Sequence, residues 1–187
     1  MANEILQKVG SPQISFADHA GDFVPTESLE IGTPTDVDFT MTGLVDGAYL
    51  NSDKFDFGAK RAAQYTCMCV IEWGSAPAAG KTVQFWHAPT ENSTAATGNP
   101  GGADGVDGAY VGYGAAAVDA DEAVAQLQYI GALVTTADTG IQIAFVGTFS
   151  PPARFSQLVM KNASGVTLFT DDVEMHVVFT QVTDEVQ

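Results

Sequence analysis

Gly80-Lys81-Thr82 stands inside the stretch IEWGSAPAAGKTVQFWHAP, Ile71 to Pro89, where a nucleotide-binding loop would carry its phosphate-contacting lysine. Such a loop has the form Gly-x-x-x-x-Gly-Lys-Ser/Thr and opens a helix whose first amides point at phosphate. Here five residues separate Gly74 from Gly80, so the loop is too long. The residues that follow, Thr82 to His87, alternate with period two and stop before Pro89, as a strand does. The stretch reads as a hairpin loop between two strands, and no nucleotide is expected there.

The other reactive residue types are equally scattered. The histidines are His19 in a polar loop, His87 at a strand end, and His176 in the last strand. None lies beside a Gly-x-Ser-x-Gly elbow, although a pairing in space remains open to them. Strand alternation puts His176 on the face opposite Met175 and Val177, which predicts a solvent-facing or interface histidine. GYGAAA, Gly112 to Ala117, matches a dinucleotide fingerprint in letters only, because it follows a Gly-rich loop and not a hydrophobic strand. Cys67 and Cys69 sit two apart in a strand-like run and read as small buried hydrophobes. Asp104, Asp107, Asp119, Asp121, Glu122, Asp171 and Asp172 could offer oxygen ligands to Ca²⁺, but no segment has the spacing of a calcium loop. Turn formation and helix capping account for them. No enzymatic activity, cofactor or metal is expected. Trp73, Trp86, Tyr110 and Tyr113 are the aromatics that could stack on a sugar, the tryptophans being equally suited to a core.

Composition narrows the partners. The 187 residues suffice for one domain with a real core. Asp and Glu number 23 against 7 Lys and Arg, a net charge of −16. Such a surface repels phosphate backbones and anionic lipid, so neither nucleic acid nor membrane is an expected partner. Charged residues are only 16%, which suits a β protein that buries surface against neighbours. The opening MANEILQKVGSPQ lacks a basic start and a long apolar run, so folding in a cytoplasm is expected.

The elements that must position these residues are strands. Candidates are Gln13–Phe16, Glu27–Ile31, Val37–Thr42, Asp53–Phe57, Ala62–Trp73, Thr82–His87, Gln126–Thr135, Ile141–Phe149, Phe155–Asn162 and Val173–Val182. Ala63, Tyr65, Cys67, Cys69 and Ile71 share one face; Val173, Met175, Val177 and Phe179 share another. Ile141, Ile143, Phe145 and Phe149 form a third row, with Gly147 leaving room in it. Amphipathic strands of this kind need a second sheet to cover them, which predicts an all-β, antiparallel β-sandwich, jelly-roll-like, over residues 1–187. One short helix is expected near Asp119, with Asp119 as N-cap and Glu122 closing the box. Residues 89–117 form a long Gly/Ala/Thr-rich loop in which Tyr110 and Tyr113 fall on one side if the chain is extended. Residues 1–31 read as an N-terminal arm or edge segment whose apolar anchors Ile5, Leu6 and Val9 could lie along a neighbouring subunit or add to a sheet edge, the alternative being that the segment is the first edge strand of its own sandwich. Ile5, Leu6, Val9, Tyr110 and Tyr113 are therefore the candidate partner-binding residues.

LQYIGALVTTADTGIQIAFVGTFSPPARFSQLVMKNASG, with DDVEMHVVFTQVTDEVQ, GNPGG and the opening MANEILQKVG, resembles small proteins encoded among the virion genes of tailed bacteriophages. The resemblance implies a structural virion protein, above all a capsid decoration or cement protein on the outer head surface. A tail or head-fibre component is the alternative, and a carbohydrate-binding β-sandwich module is another. The partners implied are the major capsid protein or other virion proteins, and further copies of the chain in a homo-oligomer such as a trimer. The location implied is the virion, assembled in a host cytoplasm. No family active-site residue carries over.

Overall fold

The computed structural model describes residues 5–19, 23, 26–59, 61–114, 119–171 and 173–186. Twelve strands are defined among them: β1 (Ile5–Ala17), β2 (Thr35–Asp38), β3 (Tyr49–Asn51), β4 (Phe55–Asp56), β5 (Gln64–Ile71), β6 (Thr82–His87), β7 (Gly108–Ala109), β8 (Gln128–Val134), β9 (Gln142–Phe149), β10 (Phe155–Ser156), β11 (Leu158–Ala163) and β12 (His176–Val186). One sheet runs β2-β1-β12-β5-β9, the other β7-β3-β11-β6-β8, and β10 and β4 form a separate two-stranded pair. Setting aside the short edge pieces β2 and β7 and the pair β4–β10, the chain crosses between the sheets at every step except β6 to β8, so that β1-β12-β5-β9 faces β3-β11-β6-β8. That order is the jelly-roll connectivity, two Greek keys folded into a sandwich. The connection carrying Lys81 is therefore not a hairpin loop: β5 and β6 lie in opposite sheets, and residues 72–81 arch between them.

Alternation decides what fills the space between the sheets. Tyr65, Cys67, Cys69 and Ile71 of β5, Val177 and Phe179 of β12, Val83 and Phe85 of β6, and Leu158 and Met160 of β11 all face the main core. Phe16, Phe55, Phe57, Phe149 and Phe179 pack edge to face near its centre, with Phe16 and Phe179 centroids 4.7 Å apart. Such aromatic pairs add to area burial. The opposite residues of the second sheet, Tyr49, Trp86 and Val159, belong to a smaller core outside it, closed by Ala103, Tyr110, Ala123, Val124 and Leu127. The described residues of the low-complexity loop thus help to cover this sheet. The short helix α1 (Ala120–Ala123) that follows begins at the predicted N-cap, with the Asp119 carboxylate accepting from the Glu122 amide at 3.0 Å.

The edges of the two sheets close on each other at two irregularities. In β9, Cys67 and Met68 face Gly147 and Phe145, so Val146 is an extra residue. In β8, Phe85 and Trp86 face Gly131 and Tyr129, so Ile130 is an extra residue. Each bulge thus precedes a glycine. A Cβ on Gly131 would stand 2.1 Å from the Val146 carbonyl oxygen, and one on Gly147 would stand 2.4 Å from that of Ile130. Only glycine lets these backbones meet.

Candidate functional site

The structure brings one histidine to a hydroxyl. His87 Nδ1 lies 3.2 Å from Ser156 Oγ. Both residues are fully buried, and Phe149 packs against the ring at 4.7 Å. Burial lowers the His87 pKa to about 4, opposed in part by the side chain of Gln128 opposite it in the ladder. The ring stays neutral over most of the accessible pH range. Cys67 and Cys69 are fully buried, and burial pushes both thiols up, Cys69 to about 12. They are packing residues, as their alternation implied.

Several acidic side chains bind within the fold. Asp104 accepts from Val106 N and Asn51 Nδ2, and Asp171 accepts from Val173 N. Asp121 binds Lys161 Nζ at 2.5 Å and the Tyr49 hydroxyl at 2.5 Å; Asp172 lies outside the described residues. A cleft of about 330 Å³ between β2 and β4 is lined by Asp36, Asp38, Asp53 and Asp56. Asp56 is occupied by a bidentate pairing with Arg154, which holds its carboxyl below the usual range. Asp53 accepts from the Asp107 amide, and Asp107 from the Thr40 amide. Burial, then the charges of Asp53 and Asp38, raise the Asp107 pKa. Among the described residues no three His, Cys, Asp or Glu side chains are grouped to hold a metal ion.

Two of the cations, Lys54 and Arg61, bind carbonyls of the chain itself. Lys54 Nζ donates to the carbonyls of Asn92, Thr94 and Thr97 at 3.1, 2.5 and 3.1 Å, pinning the long loop to the body. Arg61 reaches the carbonyls of Pro151 and Pro152. Lys81 sits in a turn closed by Lys81 N to Ala78 O and Thr135 N to Lys81 O, with a strand and not a helix behind it.

The candidate partner-binding residues are placed as follows. Ile5, Leu6 and Val9 lie in β1, their backbones paired with Val186, Glu185 and Val182 of the same chain. The β12–β5 register ends at Val182 with Gln64, so the outer half of β1 and the end of β12 continue as a two-stranded ribbon. Tyr110 and Tyr113 do not share a surface. Tyr110 is buried, its hydroxyl donating to Gly101 O at 2.6 Å, while Tyr113 is 51% exposed with its hydroxyl bound to Gln126 Oε1. Of the aromatics suited to sugar stacking, Trp73 and Trp86 are also buried, leaving Tyr113 and, unanticipated, Tyr129, which is exposed with its edge against Trp86.

Two features make the surface differ from what alternation alone implies. His176 is fully buried, not solvent-facing, because residues 26–31 lie across the outer face of its sheet. The predicted strand Glu27–Ile31 is this irregular strap. The row Ile141, Ile143, Phe145 and Phe149 is split by the extra residue Val146. Phe149 is in the core, whereas Ile143 and Phe145 are 48% and 59% exposed and Ile141 is 36% exposed. The signal was present in sequence as the adjacent apolar pair Phe145-Val146, which breaks the period of two. The result is an apolar row on an edge strand, beside Met68, and no charged residue occurs between Asp138 and Arg154. On a chain of net charge −16, such an exposed apolar row is a surface that contact with another protein could cover. Comparison with protein-family models, with curated proteins and with solved structures finds no match to the chain.

Proposed function

We propose that the protein is a non-enzymatic structural component of a tailed-bacteriophage virion, a decoration or cement protein that sits on the outer surface of the head and stabilises it. The observation that carries the reading is the uncharged apolar row Ile141, Ile143 and Phe145 on the edge strand of an acidic sandwich. An isolated soluble domain gains nothing from such an exposed apolar row and risks self-association; a subunit that covers it against a shell gains the burial of each side chain. The jelly-roll order supports the reading by analogy only, since capsid and lectin domains both use it. The acidic surface keeps such a subunit from sticking to packaged DNA.

The test is immunogold labelling of particles released by a phage that encodes the chain. Label on the head surface is expected. Label on the tail would favour a tail or fibre component, and absence from particles would refute a virion role. The carbohydrate-binding reading keeps one supporting observation, the exposed rings of Tyr113 and Tyr129. It requires sugar binding on a glycan array that is lost in Tyr113→Ala or Tyr129→Ala.

A further inference from the structure

The outer face of the first sheet carries a row of buried polar residues, Gln13 and Ser15 of β1 and His176 and Thr180 of β12. What buries them is the strap of residues 26–31. Gln13 Nε2 donates to Leu29 O at 3.2 Å and to Thr180 Oγ1 at 2.7 Å, while its Oε1 accepts from Ile31 N at 2.5 Å. Ser15 Oγ donates to Glu30 Oε1 at 2.5 Å. The middle of the strap also rests on an imidazole: Leu29 N lies 3.0 Å from His176 Nε2, and His176 Nδ1 lies 2.7 Å from Glu174 O.

Those two contacts fix the tautomer. A backbone N–H can only donate, so Nε2 must be the bare nitrogen that accepts from Leu29. A carbonyl can only accept, so Nδ1 carries the proton given to Glu174 O. The neutral ring is fully satisfied. A second proton has one place to go, Nε2, where it would face the Leu29 N–H, donor against donor. The Leu29 amide would then be left unsatisfied, and a buried charge would sit against the ring of Phe23, 5.6 Å away, and opposite Val70 of β5.

We infer that His176 is a proton-operated clasp, which when neutral holds residues 26–31 against the sheet and when protonated lets them go. The groups around it set the balance. Glu30 of the strap and the Glu174 carbonyl favour the charged ring; His19 at the end of β1 opposes it, and burial opposes it most, so the His176 pKa is lowered. The Glu174 carboxylate is itself tied to the strap through Thr26 Oγ1 at 3.2 Å. Because the folded pKa lies below the ordinary histidine value, the clasp is closed at neutral pH and opens as pH falls through that lowered value. Opening uncovers Val178, which lies between His176 and Thr180 on the outer face and opposite Met68, itself opposite Phe145. The exposed apolar row then continues across β5 onto β12. Mild acid would thus enlarge the surface available to a protein partner.

Amide exchange followed by NMR on the intact chain tests this. As pH is lowered from 7.5 through the His176 midpoint, and with exchange corrected for intrinsic chemistry, the Leu29 and Ile31 amides should lose protection at least tenfold, while Phe85 and Met160 of the opposite sheet keep theirs. The His176 Nε2 resonance should titrate with the same midpoint as the Leu29 amide. In His176→Phe, Leu29 should exchange rapidly already at pH 7.5 with no further pH dependence. Three results would overturn the clasp: Leu29 protected while His176 is protonated, Leu29 opening while His176 stays neutral, or Leu29 opening only together with Phe85. The titration of the unmodified chain decides the matter even if the variant does not fold.

Discussion

Replacing Gly131 by Ala strikes the seam between the two sheets. The new Cβ would lie 2.1 Å from the Val146 carbonyl oxygen, where real Cβ contacts stay above 3.0 Å. The obstacle is backbone, with no flexible side chain to swing aside, so β8 and β9 must part by about an ångström. Parting them loosens Ile130 and Val146, both 8% exposed and both part of the main core. Overpacking of this kind costs about 1–3 kcal/mol. The lower entropy of unfolded alanine returns about 0.4–1 kcal/mol. A net loss of roughly 1–2 kcal/mol follows, equivalent to a Tm lower by about 2–8 °C for a domain of this size. Gly147→Ala, at 2.4 Å from Ile130 O, should behave alike, and the double variant should cost less than the sum because the first substitution has already opened the seam. Gly74→Ala is the control, its Cβ meeting Thr167 O at an ordinary 3.6 Å without positive φ. Urea melts of the variants measure all of this. If Gly131→Ala proves no less stable than Gly74→Ala, the seam is not the tight contact described.

Three other outcomes follow from named contacts. His87 is held neutral down to about pH 4, whereas the unfolded ring takes up its proton near 6.5. Its stabilisation is therefore complete above pH 6.5 and falls by about 3 kcal/mol as pH drops from 6.5 to 4; melts across that window should be flatter for His87→Gln. Lys54→Met keeps the stem but removes the ammonium from three loop carbonyls. It should cost about 1 kcal/mol and speed limited proteolysis at residues 91–98, with the rest of the chain resistant. Deleting residues 2–10 leaves Gln13–Phe16 paired with β12 and Ile14–Ala17 paired with β2. The domain should stay folded by calorimetry but fail to join its oligomer or shell in a particle-binding assay; loss of the fold would show the segment to be structural.

The sequence exposes strands where alternation is uninterrupted. Thr82–His87 matches β6 to the residue, and Ala62–Trp73 encloses β5. It hides elements too short to have a period: β3 and β7 span Tyr49–Asn51 and Gly108–Ala109 and exist only because β11 and β3 supply their partners. It also hides what a single extra residue does. Val146 reverses the side on which Ile143 and Phe145 fall, so the row that alternation assigns to the core is the exposed one. His176 and Tyr110 show a third limit. Each faces away from the main core, and each is buried all the same, because a strap or loop distant in sequence returns to cover it.

Co-sedimentation with phage heads stripped of the protein tests the proposed role at the surface that carries it. The wild-type chain should pellet with the heads to saturation. Phe145→Asp should remain folded, since the ring is 59% exposed. It forfeits burial of about 2 kcal/mol at the contact and adds a charge to be desolvated there, so its affinity should fall at least thirtyfold. Failure of the wild-type chain to bind the heads, or undiminished binding by Phe145→Asp, would contradict the account.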